Sequence, residues 1–269
     1  MKVEGKTIVV TGGGSGMGRE LVLHLLSKGA RVVGLDINKS AIEETFALAG
    51  GHKERLSIEV LEITDKQSVE HCIGRVISQL GQVDGLINNA GIIQPFVKLN
   101  ELGYDAIERV VKVNFYGTLF MTKTLLPHLL TRPEAHIVNV SSMGGFLPVP
   151  GQTIYGATKA AVKLMTEGLR SELMDTQVKV SVVFPGAVST NITANSGLGN
   201  LSPSSGKEGK AFSMLSSQEA ARMIINGMER DRYHILVGKD ARMMDILSRM
   251  NPGYAAKLIY SKMKGLLRE

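Results

Sequence analysis

Seven short β-branched runs, each followed by a longer segment of helical periodicity, constrain this chain more than any other feature. "TIVVTG" (7–12), "ARVVGLD" (30–36), "LSIEVLEI" (56–63), "GLINNAG" (85–91), "HIVNVSS" (136–142), "KVSVVFPG" (179–186) and "HILVG" (234–238) read as strands. Their apolar residues are nearly continuous rather than alternating, the pattern of strands covered by helices on both faces. Between them, segments such as "GRELVLHLLSKG" and "ATKAAVKLMTEGLRSELM" repeat apolar residues at every third and fourth position. The expectation is an α/β chain, a three-layer doubly wound Rossmann fold with a parallel sheet of about seven strands. In such a sheet the ligand lies beyond the carboxyl ends of the strands, so the residues that follow each strand carry the function.

One domain over 1–269 accounts for the length, and a hydrophobic share of 43% is enough for its core. The single cysteine, Cys72, rules out an intrachain disulfide, and the six histidines show no metal-ligand spacing. A reducing cytoplasm and no metal are therefore expected. The N-terminus lacks the apolar core of a signal peptide, and no apolar run approaches membrane-spanning length. A net charge of +6 is spread along helices without interleaved aromatics, which argues against a nucleic-acid partner. Two segments stand apart. Residues 191–215, rich in Gly, Ser and Asn, are expected to form a substrate lid after the sixth strand. Residues 239–269 form a basic, amphipathic helical extension, expected to pack beside the lid or a neighbouring subunit rather than on a membrane surface.

"TGGGSGMG" follows the first strand and opens a helix. Gly12 permits the tight turn, Gly16 lets the backbone approach a pyrophosphate, and Gly18 lets the helix pack close to the sheet. Ser15 and Met17 complete the same turn. Asp36, at the end of the second strand, can accept hydrogen bonds from both adenosine ribose hydroxyls and would repel a 2′-phosphate. Neither Ser15 nor Ile37 is basic, so NAD is expected in preference to NADP. "GKT" at 5–7 lacks the upstream glycine of a P-loop, and no G-x-S-x-G elbow occurs.

"YGATK" places Tyr155 and Lys159 one helical turn apart, where a cation favours phenolate. "YSKMK" repeats the spacing at Tyr260 and Lys264, but there Ala255, Ile259, Met263 and Leu266 mark the face of a structural helix. Taken in order, "TGGGSGMG", "NNAG" (88–91), "VNFYG" with Asn114, "NVSS" ending at Ser142, "YGATK" and "PGAVST" (185–190) resemble the short-chain dehydrogenase/reductase family in its compact, single-domain form. The resemblance runs from about residue 5 to residue 240.

It implies that Tyr155 transfers the proton, Ser142 holds the substrate oxygen, Lys159 also binds the nicotinamide ribose, and Asn114 holds a water that passes the proton to bulk. It implies further that Asn89, Ala90 and Gly91 line the adenosine side or steady the sheet, and that Pro185, Gly186, Val188 and Thr190 contact the nicotinamide amide. "EITD" departs from the family's D-x-T-D, so Glu62 replaces the first acid and the adenine contact passes to the Ile63 backbone. Substrate-facing positions are expected at Ile93, Met143, Phe146, Gln152 and Ala187, with Leu198 and Met214 in the lid. Those stretches contain no arginine, which points to an uncharged, fairly lipophilic secondary alcohol or ketone. The resemblance implies a homodimer or homotetramer built on the helices that begin near Asn100 and Ile154. An NADP-dependent 3-oxoacyl reductase is the alternative within the family. A non-catalytic dinucleotide sensor or a methyltransferase would have no use for the Ser142, Tyr155 and Lys159 set.

Overall fold

The computed structural model describes residues 1–198 and 214–267. In chain order it contains β1 (Thr7–Thr11), α1 (Gly16–Ser27), β2 (Arg31–Asp36), α2 (Lys39–Leu48), β3 (Leu56–Val60), α3 (Lys66–Leu80), β4 (Gly85–Asn88), α4 (Tyr104–Val111), α5 (Thr118–Leu129), β5 (Ala135–Val140) and α6 (Thr153–Glu172). There follow β6 (Val178–Pro185), β7 (Val188–Ser189), α7 (Ile192–Asn195), β8 (Leu215–Ser216), α8 (Ser217–Glu229), β9 (His234–Val237), α9 (Lys239–Met250) and α10 (Pro252–Met263).

The seven expected strands form one sheet in the order β3-β2-β1-β4-β5-β6-β9, parallel at every pairing. Every residue of β1, β4 and β5 is buried, as the continuous apolar runs require. Alternate residues serve opposite layers. Ile8 and Val10 pack with α1 and α8, while Val9, Val33 and Leu35 pack with α3 and α5. A buried polar chain ties the second layer across the sheet: Asn88 Nδ2 donates to Thr122 Oγ1 (2.9 Å) and Asn139 Oδ1 (2.8 Å), and Asn139 Nδ2 donates to Thr166 Oγ1 (3.0 Å).

After β3 the chain crosses back to place β4 on the other side of β1. The loops leaving β1 and β4 therefore diverge, and a crevice opens between them at the carboxyl edge. Two expected strands end sooner than the apolar runs suggest. The third stops at Val60 because the chain turns toward Asp65, whose side chain caps α3 by accepting from Gln67 N (3.0 Å). The fourth stops at Asn88, and the N–H groups of Asn89 and Ala90 leave the ladder to donate to Thr11 Oγ1 (3.0 and 3.1 Å).

Of the expected lid, α7 and β8 are ordered elements, β8 pairing with β7, and residues 199–213 lie outside the described residues. The C-terminal extension forms α9 and α10, from which Met244 and Ala255 pack on Leu147 with Met143 and Phe146 alongside. Ala255 and Ile259 form the buried face of α10, and Tyr260 points outward. Among the described residues no helix is long and apolar enough to cross a membrane, and no His, Cys, Asp and Glu group could hold a metal ion.

Candidate functional site

A cleft of about 740 Å³ opens along the carboxyl edge of the sheet. At one end Gly12 (φ 68°) and Gly16 (φ 50°) use backbone conformations that side chains disfavour. A Cβ on Gly18 would fall inside the carbonyl of Gly12, so only glycine lets α1 start this close to β1. Ser15 is the N-cap of α1 yet makes no side-chain cap, which leaves the helix N-terminus facing the cleft; Met17 lines the same wall. Asp36 Oδ2 accepts from Gly14 N (2.8 Å) and Oδ1 from Asn38 N (2.9 Å), fixing the carboxylate at the cleft edge beside Ile37, with no cation bonded to it among the described residues. Glu62, at the mouth, accepts from Thr64 N (3.1 Å) and Thr64 Oγ1 (2.8 Å), whereas Ile63 is buried against Gly117. A strand-to-helix turn without Cβ atoms, an anchored acid and a cleft of this size fit a dinucleotide.

The middle of the cleft is walled by Asn89, Ala90 and Gly91. Asn89 Nδ2 donates back to Thr11 O (3.1 Å), so this loop is stitched to the first strand. Pro185, Gly186, Val188 and Thr190 also line the cleft, and a Cβ on Gly16 would meet Thr190 at 3.5 Å.

At the far end β5 delivers Ser142 and the first turn of α6 delivers Tyr155, both on the cleft wall. Burial raises the Tyr155 phenol above its ordinary pKa, and the neighbouring Ser142 hydroxyl acts in the opposite sense. Ser142 Oγ accepts from Gly144 N (3.0 Å). Lys159 lies beneath, 3% exposed, with Nζ donating to Val140 O (2.9 Å) and 5.9 Å from the Tyr155 ring centroid. Burial lowers the Lys159 ammonium to about 8. The direction at the phenol is therefore set by burial and not by the lysine that the spacing brings near.

Asn114 is fully buried on a single π-helical turn, Lys112–Gly117, between α4 and α5. Its amide is committed: Oδ1 accepts from Ile92 N (2.9 Å), and Nδ2 donates to Ile92 O (2.9 Å) and Thr158 Oγ1 (3.2 Å). A Cβ on Gly91 would meet both Asn114 Oδ1 and Lys159 Nζ at 3.2 Å, which shows how closely the two side chains approach.

Of the expected substrate positions, Ile93 lines the cleft; Met143, Phe146, Gln152 and Ala187 do not. Met143 and Phe146 are taken up by the packing of α9 and α10, and the Phe146 ring meets Phe184 edge-on at 5.4 Å. Gln152 is buried, its Nε2 donating to Gln94 O (2.8 Å) and Gly151 O (3.0 Å). Ala187 is held by its backbone, N donating to Asp240 Oδ2 (2.7 Å). Leu198 and Met214, at the ends of the described lid, do not line the cleft either.

Several residues enter the site that motif and spacing do not single out. Gln94 bonds the start of α6; Ser196 Oγ accepts from Ile93 N (2.9 Å); Asn195 Nδ2 donates to Ser15 Oγ (2.9 Å), spanning the cleft from α7 to the glycine turn. Helix α4 brings Asp105, Glu108 and Arg109 to the rim, and the π turn after it adds Lys112; the arginine lies outside the stretches expected to face substrate, with Arg109 Nη1 donating to Ser196 O (3.4 Å). The polar face of α4, with charges three and four residues apart, is the signal that could have placed it there.

A profile of the family described as short chain dehydrogenase matches residues 6–200. SadH of Mycobacterium tuberculosis, an oxidoreductase by name, is 33% identical over 257 residues, spanning 92% of this chain and 91% of its own. A short chain dehydrogenase from Burkholderia cenocepacia, crystallised in complex with NADP, is 25% identical with a TM-score of 0.78, covering 98% of this chain and 99% of the other. A short chain dehydrogenase/reductase from Burkholderia phymatum in complex with NAD, 24% identical, has a TM-score of 0.81 over 93% of this chain and 96% of its own, a likeness of fold.

Proposed function

The chain belongs to the short chain dehydrogenase family of NAD(P)-dependent oxidoreductases, and on that premise we propose that it interconverts an uncharged, fairly lipophilic secondary alcohol and its ketone with NAD. The observation that carries the reading is that Ser142 and Tyr155 share the wall of the glycine-lined cleft, both within 3.5 Å of a Cβ placed on Gly144, with Lys159 buried beneath.

A nicotinamide cofactor, when bound, supplies or accepts the hydride. Gly12, Ser15, Gly16, Met17 and Gly18 would cradle its pyrophosphate at the α1 N-terminus, where backbone N–H groups and the helix dipole favour an anion. Asp36 would accept from the adenosine ribose. With the Glu62 carboxylate engaged by Thr64, the adenine contact falls to the Ile63 backbone, and Asn89, Ala90 and Gly91 form the adjoining wall. Pro185, Gly186, Val188 and Thr190 would meet the nicotinamide side.

Tyr155 gives its phenolic proton to the substrate oxygen in reduction and recovers it in oxidation, while Ser142 holds that oxygen. Lys159, mostly cationic at neutral pH, would bind the nicotinamide ribose and favour the phenolate as the reaction demands it. Asn114 anchors the segment next to Lys159, and a proton leaving Tyr155 would pass to bulk through water on that side. The lipophilic preference rests on Ile92, Ile93 and Ile192 in the lining. Arg109 reaches Ser196, which also bonds Ile93 and Ile192, so the charged rim adjoins this apolar group and would meet a polar end of a longer substrate. The unit over 1–269, the lid over 191–215 and the extension over 239–269 belong to the same proposal, as does a homo-oligomer with no nucleic-acid partner.

The preference for NAD rests on Asp36, because a 2′-phosphate placed against this carboxylate would be repelled and, among the described residues, no basic side chain lines the cleft beside it. A fluorescence titration with NADH and NADPH tests it, followed by a panel of secondary alcohols with NAD. NADH is expected to bind tighter by about tenfold or more, and Asp36→Ala is expected to narrow the gap, in line with the 1.4 kcal/mol per decade that a lost charge repulsion must supply. Tighter binding of NADPH by the unaltered chain would refute the choice.

A further inference from the structure

Helix α6 carries Tyr155 in its first turn, yet its N-cap residue, Gln152, makes no side-chain cap. The N–H groups of the first helical turn have no partner within the helix and need one elsewhere. Two of them find it in a single distant atom: Gln94 Oε1 accepts from Ile154 N (2.8 Å) and from Tyr155 N (2.9 Å). The other end of the same amide donates from Nε2 to Gly151 O (3.0 Å), and Gln152 Nε2 donates to Gln94 O (2.8 Å). Gln94 is 1% exposed, so these bonds are not shared with solvent. A buried side chain that binds both the approach to the helix and its first turn is a cap supplied by another loop.

That loop is itself fixed at each residue. Ile92 is held by both ends of the Asn114 amide, and Ile93 N by Ser196 of the α7 region. The carbonyl of Tyr155 accepts from Thr158 Oγ1 (2.8 Å), which in turn accepts from Asn114 Nδ2. The backbone of Tyr155 is thus tied on its N–H side to Gln94 and on its C=O side, through Thr158, to Asn114. We propose that Gln94 is a positioning residue, which caps α6 from the 92–94 loop and thereby sets where the Tyr155 hydroxyl stands relative to Ser142. It deepens the active-site reading above and rests on it, since it gives Gln94 its role through Tyr155.

The test uses the full chain saturated with NADH, comparing Gln94→Met, of similar size without the amide, and Gln94→Glu, which keeps an oxygen acceptor. Amide hydrogen exchange reads the cap, and the ring-carbon resonance of isotopically labelled tyrosine, assigned to Tyr155 by its absence in Tyr155→Phe, reads the side chain. In Gln94→Met the Ile154 and Tyr155 amides are expected to exchange about tenfold faster, the scale of a lost helix cap, and the Tyr155 resonance to move. NADH affinity is expected to hold within about twofold, because Gln94 does not line the cleft, and Gln94→Glu should restore most of the amide protection. Unchanged exchange and an unmoved resonance in Gln94→Met would overturn the proposal. So would a fall in NADH affinity alongside the protection of every helix, with no recovery in Gln94→Glu, since that marks a general packing loss. Should Gln94→Met fail to fold, the Tyr155 resonance of Gln94→Glu decides: near its unaltered position supports the cap, and displaced with amide protection intact refutes it. None of these readouts needs turnover, so failure of the oxidoreductase reading would show separately, as alcohol oxidation that survives in Tyr155→Phe.

Discussion

Burial is the dominant influence on the ionisable side chains that matter here, and its sign depends on which form carries charge. It raises the Tyr155 phenol, which holds the proton on the residue proposed to deliver it, and lowers the Lys159 ammonium to about 8. The same effect at His136, far from the cleft, has a consequence for stability. His136 Nε2 pairs with Ser181 Oγ (2.9 Å), and because that hydroxyl donates to Arg232 O (2.6 Å), the histidine must be the donor at Nε2. Nδ1 has no partner, and burial, with the N-terminal charge adding to it, lowers the ring to about 3. Folded chains therefore keep His136 neutral where unfolded ones would protonate it. The stability this contributes is complete above the ordinary value of 6.5 and drains away as pH falls toward 3. Between pH 6.5 and 5 the loss should reach about 2 kcal/mol, at roughly 1.4 kcal/mol per unit. Urea unfolding across that range should show it in the unaltered chain and not in His136→Gln; two parallel profiles would contradict it.

At the level of elements, the glycine turn is the stiffest constraint. In Gly18→Ala the new methyl would collide with the Gly12 carbonyl, which is backbone and cannot rotate away. The expected cost is about 1–3 kcal/mol of stability, with weaker NADH binding, read by thermal unfolding and fluorescence titration; an unshifted melting temperature would contradict it. This turn, the seven strands and the order of the motifs were legible because each depends on local chemistry: β-branched runs, a strand followed at once by glycine, and hydroxyl and amine one turn apart. The ends of the third and fourth strands were not. Apolar residues continue past Val60 and Asn88, but Asp65 caps the start of α3 just beyond the third strand, and Thr11 captures the N–H groups of Asn89 and Ala90 that the ladder would otherwise use. The π turn around Asn114 was hidden too, since one extra residue in a helix leaves no compositional mark. Gln94 was invisible because its partners are far along the chain. Met143 and Phe146 follow a strand end, which suggests a substrate-facing place, but they pack partly buried against residues of α9 and α10, and periodicity does not say which neighbour claims an apolar side chain.

For the whole molecule, the outer faces of α5 and α6 carry what the sheet leaves unused. Leu164 is 69% exposed, and a shallow groove beside it is lined by Leu119, Leu126, Met165 and Leu169. On the reading proposed here this face is shared between subunits, and Leu164→Arg should shift a dimer or tetramer toward smaller species in analytical ultracentrifugation. A monomeric unaltered chain would contradict it. The buried Thr122–Asn88–Asn139–Thr166 chain holds α5 and α6 to the sheet, so the charge change should leave the fold intact. Seen whole, the molecule brings a phenol, a hydroxyl and an ammonium from β5 and α6 to one end of a cleft whose other end is glycine backbone. The most direct test is the oxidation of secondary alcohols with NAD by the unaltered chain and by Tyr155→Phe, with NADH binding measured in both. Loss of about two to four decades of turnover is predicted, with NADH affinity nearly unchanged. Turnover by Tyr155→Phe at the unaltered rate would contradict the assignment of proton transfer to this residue.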